Sequence, residues 1–561
     1  MPHRVLGVNA AFHDPSAALV CAGKIVAAAE EERFSRRKHG KLPVPFSAWE
    51  LPEQAAAWCL EYGGVSAGDL DAVVYAYDPS LAAAPNGDVV AANWEGLRTL
   101  YVQRAPLFLK TALPGLDPAT VRYLPHHVAH AASAYVSSPY DSCAVLTLDG
   151  RGERTSQLAG RAGPDGLEVL AEQRLPHSLG LVYEELTAHL GFRRASDEYK
   201  VMALASYGRP RWLGELREAL HATEDGGFRA ERLDWTRFAP AVREGGEWSA
   251  EHADLAASVQ RRLEEVVLDL ARWVHERTGE RRLALAGGVA LNCVCNSRLW
   301  REGPFDDVWV QPAAGDAGTA LGAAQYVAHE LGDRVEPMPT AALGRAWDGD
   351  ALEAWLAGAA VSHERPDDVA EEAAAVLAQN GVVAWFEGRS EFGPRALGHR
   401  SLLADPRDPA NLERLNDVKG REQFRPVAPM VLQERAVDIF SGGPIPSPYM
   451  LFTHDVASEW LERIPAVVHV DGTARIQTVD AAREPALARM LRAFERRTGV
   501  PVVVNTSLNT AGRPMVDDPR DALECFGAAP IDALVMGPFI VRRTGSPAAT
   551  GAASEPEVLA R

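Results

Sequence analysis

The chain opens on three short, mostly apolar runs separated by polar corners, Val5 to Asn9, Ala17 to Cys21 and Ile25 to Ala29, with a polar loop over 10–15 and a turn at Ala22-Gly23. Runs of this length bounded by turn residues read as strands, so an antiparallel meander is expected. The same pattern returns after His130. It predicts strands over Ala144 to Leu148, Thr155 to Gly160 and Leu167 to Gln173, with Asp149-Gly150-Arg151-Gly152 as the loop after the first. Further elements are a strand over Ala72 to Tyr77, a long amphipathic helix over Leu255 to Thr278, and a buried strand over Leu283 to Ala286 that runs into Gly287-Gly288-Val289-Ala290-Leu291-Asn292. Around 336–350 the chain becomes loop-like, with Pro337, Pro339 and Gly344, and a new α/β pattern starts at Ala351. The expected domains are therefore 1–345 and 351–543, followed by an Ala-, Ser-, Gly- and Pro-rich tail over 544–561 that is expected to be disordered.

The duplicated meander resembles the actin, Hsp70 and sugar-kinase type of fold, in which nucleotide sits between two halves. Composition narrows the partners. With 57 basic and 76 acidic residues among 561, the formal charge is −19, which disfavours a broad footprint for nucleic acid and favours small substrates. Six scattered cysteines without a Cys-x-x-Cys pair indicate neither a zinc ribbon nor a disulfide framework and fit a reducing cytoplasm. The N-terminus lacks a signal pattern, and no run approaches the ~18 apolar residues of a membrane span. A soluble, cytoplasmic protein is expected, of unspecified oligomeric state.

Candidate chemistry begins at His126-His127-Val128-Ala129-His130. On a helix, His126 and His130 share a face one turn apart, and Asp149 and Asp316 could complete a mixed nitrogen and oxygen metal site. A zinc-protease reading fails because a Glu is needed where His127 stands. His13, in Phe12-His13-Asp14, is a candidate general base or substrate ligand. The charged segment Glu30 to His39 reads as a solvated helix, with Lys38 kept as a phosphate ligand; Lys200 would suit nucleotide phosphates. The glycines at 287 and 288 let backbone approach a nucleotide. Arg389, Arg395, Arg400, Lys419, Arg421 and Arg425 crowd a short glycine-rich region of an acidic protein, as a phosphate pocket built of forked guanidinium groups would. Asp471 to Arg475 and Asn505 to Asn509 add short polar donors.

The strings Phe12-His13-Asp14-Pro15-Ser16, the histidine cluster with Asp149-Gly150, Glu198-Tyr199-Lys200-Val201-Met202, Gly287 to Asn292, Gly393 to Gly398, Val470 to Arg475 and Asn505-Thr506-Ser507 together resemble the O-carbamoyltransferases of antibiotic and nodulation-factor biosynthesis. They occur in family order over nearly the whole chain. The resemblance implies an N-terminal domain like the tRNA threonylcarbamoyl transferases and a C-terminal α/β domain like the threonylcarbamoyladenylate synthases. It implies carbamoyl phosphate, ATP and a hydroxyl-bearing small molecule as partners, neither nucleic acid nor membrane, and passage through carbamoyl adenylate. His126, His130, Asp149 and Asp316 would hold a divalent or ferric metal, iron being implied, with magnesium accompanying ATP. Arg395, Lys419, Arg425, Arg475, Asn505 and Ser507 would hold carbamoyl phosphate; Lys200, Gly287, Gly288 and Asn292 the nucleotide; and His13, Lys38 and Arg395 would act in catalysis. The stretch from Gly208 to Ala253, where members differ, matches no motif, and Asp234 is a guess for an acceptor base. The alternatives are a tRNA threonylcarbamoyl transferase, a hydrogenase-maturation carbamoyltransferase, which the lack of Cys-x-x-Cys disfavours, and a non-catalytic nucleotide-binding scaffold.

Overall fold

The computed structural model describes residues 2–40, 50–82 and 89–543; the tail expected to be disordered lies outside them. β1 (Arg4–Asn9), β2 (Ser16–Cys21), β3 (Lys24–Glu30), β4 (Ala72–Tyr75) and β5 (Val121–Tyr123) form a sheet in the order β3-β2-β1-β4-β5. The first three strands are antiparallel, and β4 and β5 are added in parallel. β6 (Cys143–Leu148), β7 (Thr155–Gly163) and β8 (Gly166–Arg174) start a second sheet. After a hairpin of β9 (Leu220–Ala222) and β10 (Phe228–Ala230), β11 (Arg282–Ala286) and β12 (Asp307–Val310) complete it in the order β12-β11-β6-β7-β8. Order and pairing sense repeat those of the first sheet. The expected duplicated α/β plan of the actin and sugar-kinase type is present.

Each sheet's last strand feeds a helix, His126–Tyr135 after β5 and Ala317–Glu330 after β12. Each helix packs on strands of the other half's sheet: the first against β6, β7 and β11, and the second against β1, β2 and β4. The two helices also pack on each other. They can do so because Gly322 has no side chain. A Cβ there would sit 2.0 Å from the Ala129 carbonyl oxygen and 2.5 Å from the Ser133 nitrogen, and one at Gly7 would sit 1.8 Å from the Ala320 carbonyl oxygen.

The C-terminal domain is built on β13 (Val383–Phe386), β14 (Arg400–Ala404) and β15 (Ala428–Leu432). A small sheet of β16 (Phe440–Ser441), β17 (His454–Val456) and β18 (Thr473–Ala474) follows, and then β19 (Gln477–Val479), β20 (Val502–Ser507), β21 (Ala533–Met536) and β22 (Phe539–Arg542). The large sheet runs β19-β15-β20-β14-β13-β21-β22, with the Val369–Ala378 and Pro485–Thr498 helices packed together against it. The two domains share hydrophobic cores: Leu451 and Phe452 enter the core of the second sheet, and Phe392, Leu397 and Met450 that of the first. Backbone carbonyls of one domain take donors from the other, as Leu451 does from Asn296 Nδ2 at 3.0 Å and Met515 from Arg36 at 2.8 Å.

One expectation is corrected. Glu30 to His39 is not a solvated helix, because only Glu32–Ser35 is α-helical and Glu30, Glu31, Glu32 and Arg33 are buried. Their charges are met by distant groups that local composition does not reveal. Glu30 accepts the Gly393 N–H at 2.7 Å, Glu31 the Ala55 N–H at 2.8 Å and Glu32 the His39 N–H at 2.7 Å, while Arg33 donates to the Gly393 carbonyl at 2.9 Å. Burial pushes Glu30 and Glu31 up to about 7.

Because the helix pair meets backbone to backbone, Gly322→Val is expected to destabilise the fold by about 3 kcal/mol, at the upper end for overpacking. The denaturant midpoint checks this; an unchanged midpoint contradicts the packing account.

Candidate functional site

His126 heads its helix directly after Pro125. Its N–H donates to Glu153 Oε1 at 2.9 Å, and the same oxygen accepts the Asp78 N–H at 2.7 Å, which ties the helix start to the end of β4. His126 Nδ1 lies 3.1 Å from the Ala76 carbonyl, an acceptor, so this nitrogen carries a proton and Nε2 is the nitrogen that faces the site. One turn on, His130 Nε2 lies 3.6 Å from Asp316 Oδ1 and 4.0 Å from Asp149 Oδ2; His126 Nε2 lies 3.6 Å and 3.7 Å from the same two oxygens. These spacings exceed hydrogen-bond lengths, and both Nε2 atoms are buried without a hydrogen-bond partner.

Four buried donors, two imidazoles and two carboxylates, thus converge within 4.8 Å of one another, and the mixed set fits a divalent or ferric ion. Each carboxylate spends its other oxygen on a backbone N–H: Asp149 Oδ1 on Gly288 at 2.9 Å and Asp316 Oδ2 on His13 at 3.1 Å. For His126, burial opposes charge, but Asp316 and Asp149 raise its pKa well above the ordinary value. For Asp149 and Asp316, burial is likewise outweighed by the histidines, and both stay ionised.

The glycine loop joins this centre directly. Gly287 adopts a φ of +90°, and a Cβ there would lie 2.2 Å from the Leu148 carbonyl oxygen. Asn292 is already engaged by protein: Oδ1 caps the Cys295 N–H at 3.0 Å, and Nδ2 donates to Gln260 Oε1 at 2.9 Å. Asn292 thereby anchors the wall of the glycine loop.

In the loop between β1 and β2, His13 Nδ1 lies 2.9 Å from Asp14 Oδ2, and His39 Nδ1 lies 3.0 Å from Asp14 Oδ1. Glu184 and Glu198 stand in the field of His13, and burial pushes both up, Glu198 to about 7. Lys38 is exposed, 3.6 Å from Glu32, and contributes to the field on Lys419 of the other domain. Lys200 pairs with Asp197 at 3.1 Å and with Glu422 at 2.8 Å, a bridge across the domains. Asp234 is exposed and caps its own turn by accepting from Thr236, so the structure does not bring it to the site.

The second cluster lies in the C-terminal domain. Arg395, Arg421, Arg425, Arg475 and Lys419 stand within one another's fields. Burial and then neighbouring cations lower Arg395 and Arg421 to about 9 and depress Lys419 well below its ordinary value. Lys419 donates to Ser507 Oγ at 2.9 Å and to the side chain of Asn509. Asn505 donates to Gln477 at 2.7 Å and to the Ala396 carbonyl at 3.1 Å, which leaves its Oδ1 buried without a partner. Glu422 is the carboxylate at this cluster, 3.6 Å from Arg425. Tyr199 lies 4.6 Å under Arg425, and Cys293, which follows Asn292, contributes to the field on Arg395. The pocket therefore abuts the glycine-loop side of the N-terminal domain.

The arginines of the crowded region divide by role. Arg400 is buried and donates to the carbonyls of Glu387, Gly388, His399 and Arg345; Arg389 donates to Gly344, Leu343 and Val26. Both hold loops together. Arg421 belongs to the pocket and was not among the expected ligands, although its string was in view. Asp14 stands in the string read for His13 as the carboxylate beside the imidazole, whereas the contacts of His39 and Glu153 were missed because they act over distances that no local pattern encodes.

The family model for the carbamoyltransferase N-terminus matches residues 4–325, and that for the C-terminus matches residues 374–543. An uncharacterised protein of Synechocystis is 39% identical over 97% of this chain and 97% of its own length. Nodulation protein NolNO of Sinorhizobium fredii is 39% identical over 96% of this chain and 80% of its own. Among solved structures, T. kodakarensis HypF superposes with a TM-score of 0.36 at 16% identity over 59% of this chain and 48% of that one. Among the described residues no helix is long and apolar enough to cross a membrane. With matched models over both halves and relatives of this similarity over nearly its whole length, the chain belongs to the carbamoyltransferase family.

Proposed function

We propose that the chain is an O-carbamoyltransferase that uses carbamoyl phosphate and ATP to carbamoylate, through carbamoyl adenylate, a hydroxyl of a small-molecule natural product of the kind made in antibiotic biosynthesis. The observation that carries this reading is the cation pocket: a buried lysine and four half-buried arginines gathered, in a protein of charge −19, against the wall of the glycine loop. Burying like charges together costs several kcal/mol unless an anion joins them, and a phosphate dianion presented to forked guanidinium groups is the natural complement. The net acidity disfavours tRNA as acceptor.

In this reading Arg395, Arg421, Arg425, Arg475 and Lys419 bind the phosphate of carbamoyl phosphate, and Asn505 and Ser507 orient its amide. Cleavage by water gives phosphate and carbamate. The carbamate oxygen attacks the α-phosphorus of ATP, pyrophosphate leaves, and carbamoyl adenylate forms. Gly287 and Gly288 let backbone approach the nucleotide, Asn292 holds that wall, and Lys200 fixes the domain junction through Glu422. A metal held by His126, His130, Asp149 and Asp316 supplies Lewis-acid stabilisation of phosphate charge when bound. The acceptor hydroxyl gives its proton to His13, its oxygen bonds to the carbamoyl carbon, and AMP leaves with the electron pair of the broken bond. Lys38, whose charge is felt at Lys419, adds positive charge at the junction of the two sites.

Chromatography of AMP and pyrophosphate, with and without carbamoyl phosphate, tests the activation step. ATP cleavage to pyrophosphate is expected only with carbamoyl phosphate and to fall about 10²-fold or more in Arg395→Ala. Cleavage indifferent to carbamoyl phosphate in metal-replete protein would contradict the reading. The raised pKa of His126 sets the sign of a second prediction. Below that pKa a proton competes for the metal-free imidazole, so metal affinity is expected to fall by about tenfold per pH unit as pH drops, and to level off above it. Competitive metal titration across pH reads this out, and His130→Ala is expected to abolish tight binding; pH-independent affinity would contradict the assigned ligands.

A further inference from the structure

His13 does not stand alone in its loop. Asp14 presents one carboxylate oxygen to Nδ1 of His13 at 2.9 Å and the other to Nδ1 of His39 at 3.0 Å, and His39 Nε2 lies 2.9 Å from Ser196 Oγ. The two imidazole rings lie 4.5 Å apart between centroids. An ionised carboxylate only accepts, so both rings must carry their proton on Nδ1. Burial would raise Asp14, but the two histidines more than offset it and hold the carboxyl well below the usual range. The backbone is bent to make this arrangement: Asp14 has φ +43° and His39 φ +60°, left-handed values that non-glycine residues adopt at a cost. Asn9, buried at the end of β1, stabilises the loop by donating to the carbonyls of His13 at 2.8 Å and Asp14 at 3.1 Å.

We propose that Asp14 and His39 are positioning residues that fix the ring orientation and tautomer of His13, so that its Nε2 is the nitrogen that meets the acceptor hydroxyl. This rests on the assignment of His13 as the acceptor's base. The logic is that of a carboxylate orienting a general-base imidazole, with one addition: the second imidazole occupies the other carboxylate oxygen and anchors it, through Ser196, to the turn before the Glu198–Ala205 helix. That helix carries Tyr199 and Lys200, which touch Arg425 and Glu422 of the C-terminal domain. His13 is thereby held in register with the domain junction. In transfer, the hydroxyl proton moves to His13 Nε2 as the new carbon–oxygen bond forms and AMP departs, and Asp14 stays ionised beside the imidazolium.

Asp14→Asn keeps the shape but offers an amide N–H to one ring, which favours the wrong tautomer. Transfer to an acceptor is expected to lose about 10²-fold or more in kcat, with KM for acceptor and ATP within about threefold. Carbamoyl phosphate-dependent formation of pyrophosphate in a single turnover should be unchanged. His39→Gln should cost about tenfold in the same step, as loss of an outer partner does. Ring ¹⁵N shifts of zinc-loaded protein, assigned with His13→Gln and His39→Gln, should show Nδ1–H on both rings. An Nε2–H form of His13, transfer unimpaired in Asp14→Asn, or equal loss of both half-reactions would overturn the proposal. A wild-type protein that shows no carbamoyl phosphate-dependent ATP cleavage would instead overturn the activity assigned above, and the ring shifts would still decide the geometry.

Discussion

The approach of the His126–Tyr135 helix to the Ala317–Glu330 helix at Gly322 is the contact on which the N-terminal site depends. It presses two helices together with backbone against backbone, and it does so between the halves of a duplicated fold. His126 and His130 follow the last strand of one sheet; Asp316 follows the last strand of the other. The loop after β1 brings His13 and Asp14, and the loop after β6, its counterpart in the second sheet, brings Asp149. The site therefore lies where equivalent corners of the two halves meet. Its donors come from four separated stretches of chain, held by a core in which Gly7 and Gly322 cannot be replaced without displacing a helix.

The two clusters are opposites in charge economy. At the candidate metal centre, each carboxylate faces imidazoles and takes a backbone N–H, so its charges are balanced by opposite charge within the protein. In the C-terminal pocket, cations outnumber the carboxylate Glu422, and Arg395 and Arg421 are lowered to about 9 by burial and by neighbouring cations. That pocket is built to gain stability from an anion. Between the two runs the segment Glu30 to Gly40. Its buried carboxylates fasten Gly393 and Ala55, its Arg36 fastens Met515, its Lys38 adds to the field on Lys419 and its His39 completes the hydrogen bonds of Asp14. A stretch with the composition of solvated surface is the shared wall of both sites.

Most of the N-terminal fold was legible because its signals are local. Apolar runs bounded by Gly, Asp and Pro placed β1 to β3 and β6 to β8 within a residue or so, apart from the longer end of β7. The long helix begins earlier than its apolar stripe, at Ala250, because Ser249 and His252 form a capping box. The Val89–Ala112 helix was missed, since Pro106 interrupts its pattern. The four candidate metal ligands were legible from helical spacing and loop position, and the structure brings them together. The cation cluster was legible as excess positive charge, but not how its arginines divide: Arg400 is buried on backbone carbonyls, three of them 12 to 55 residues away, whereas Arg421 is half-buried and reaches Asn416. Glu30 and Glu31 were misread because each is satisfied by residues far along the chain, and Glu32 because the segment folds back so that His39 reaches it.

The central claim is that the two sites act in sequence on one carbamoyl group. Carbamoyl phosphate carrying ¹⁸O at both oxygens of its carbamoyl carbon, supplied with unlabelled ATP and an acceptor hydroxyl, tests it most directly. If carbamate leaves the cation pocket and attacks the α-phosphorus, the AMP released on transfer carries an ¹⁸O atom, readable by mass spectrometry. Unlabelled AMP alongside carbamoylated product would mean that the acceptor takes the carbamoyl group without an adenylate, and would contradict the account.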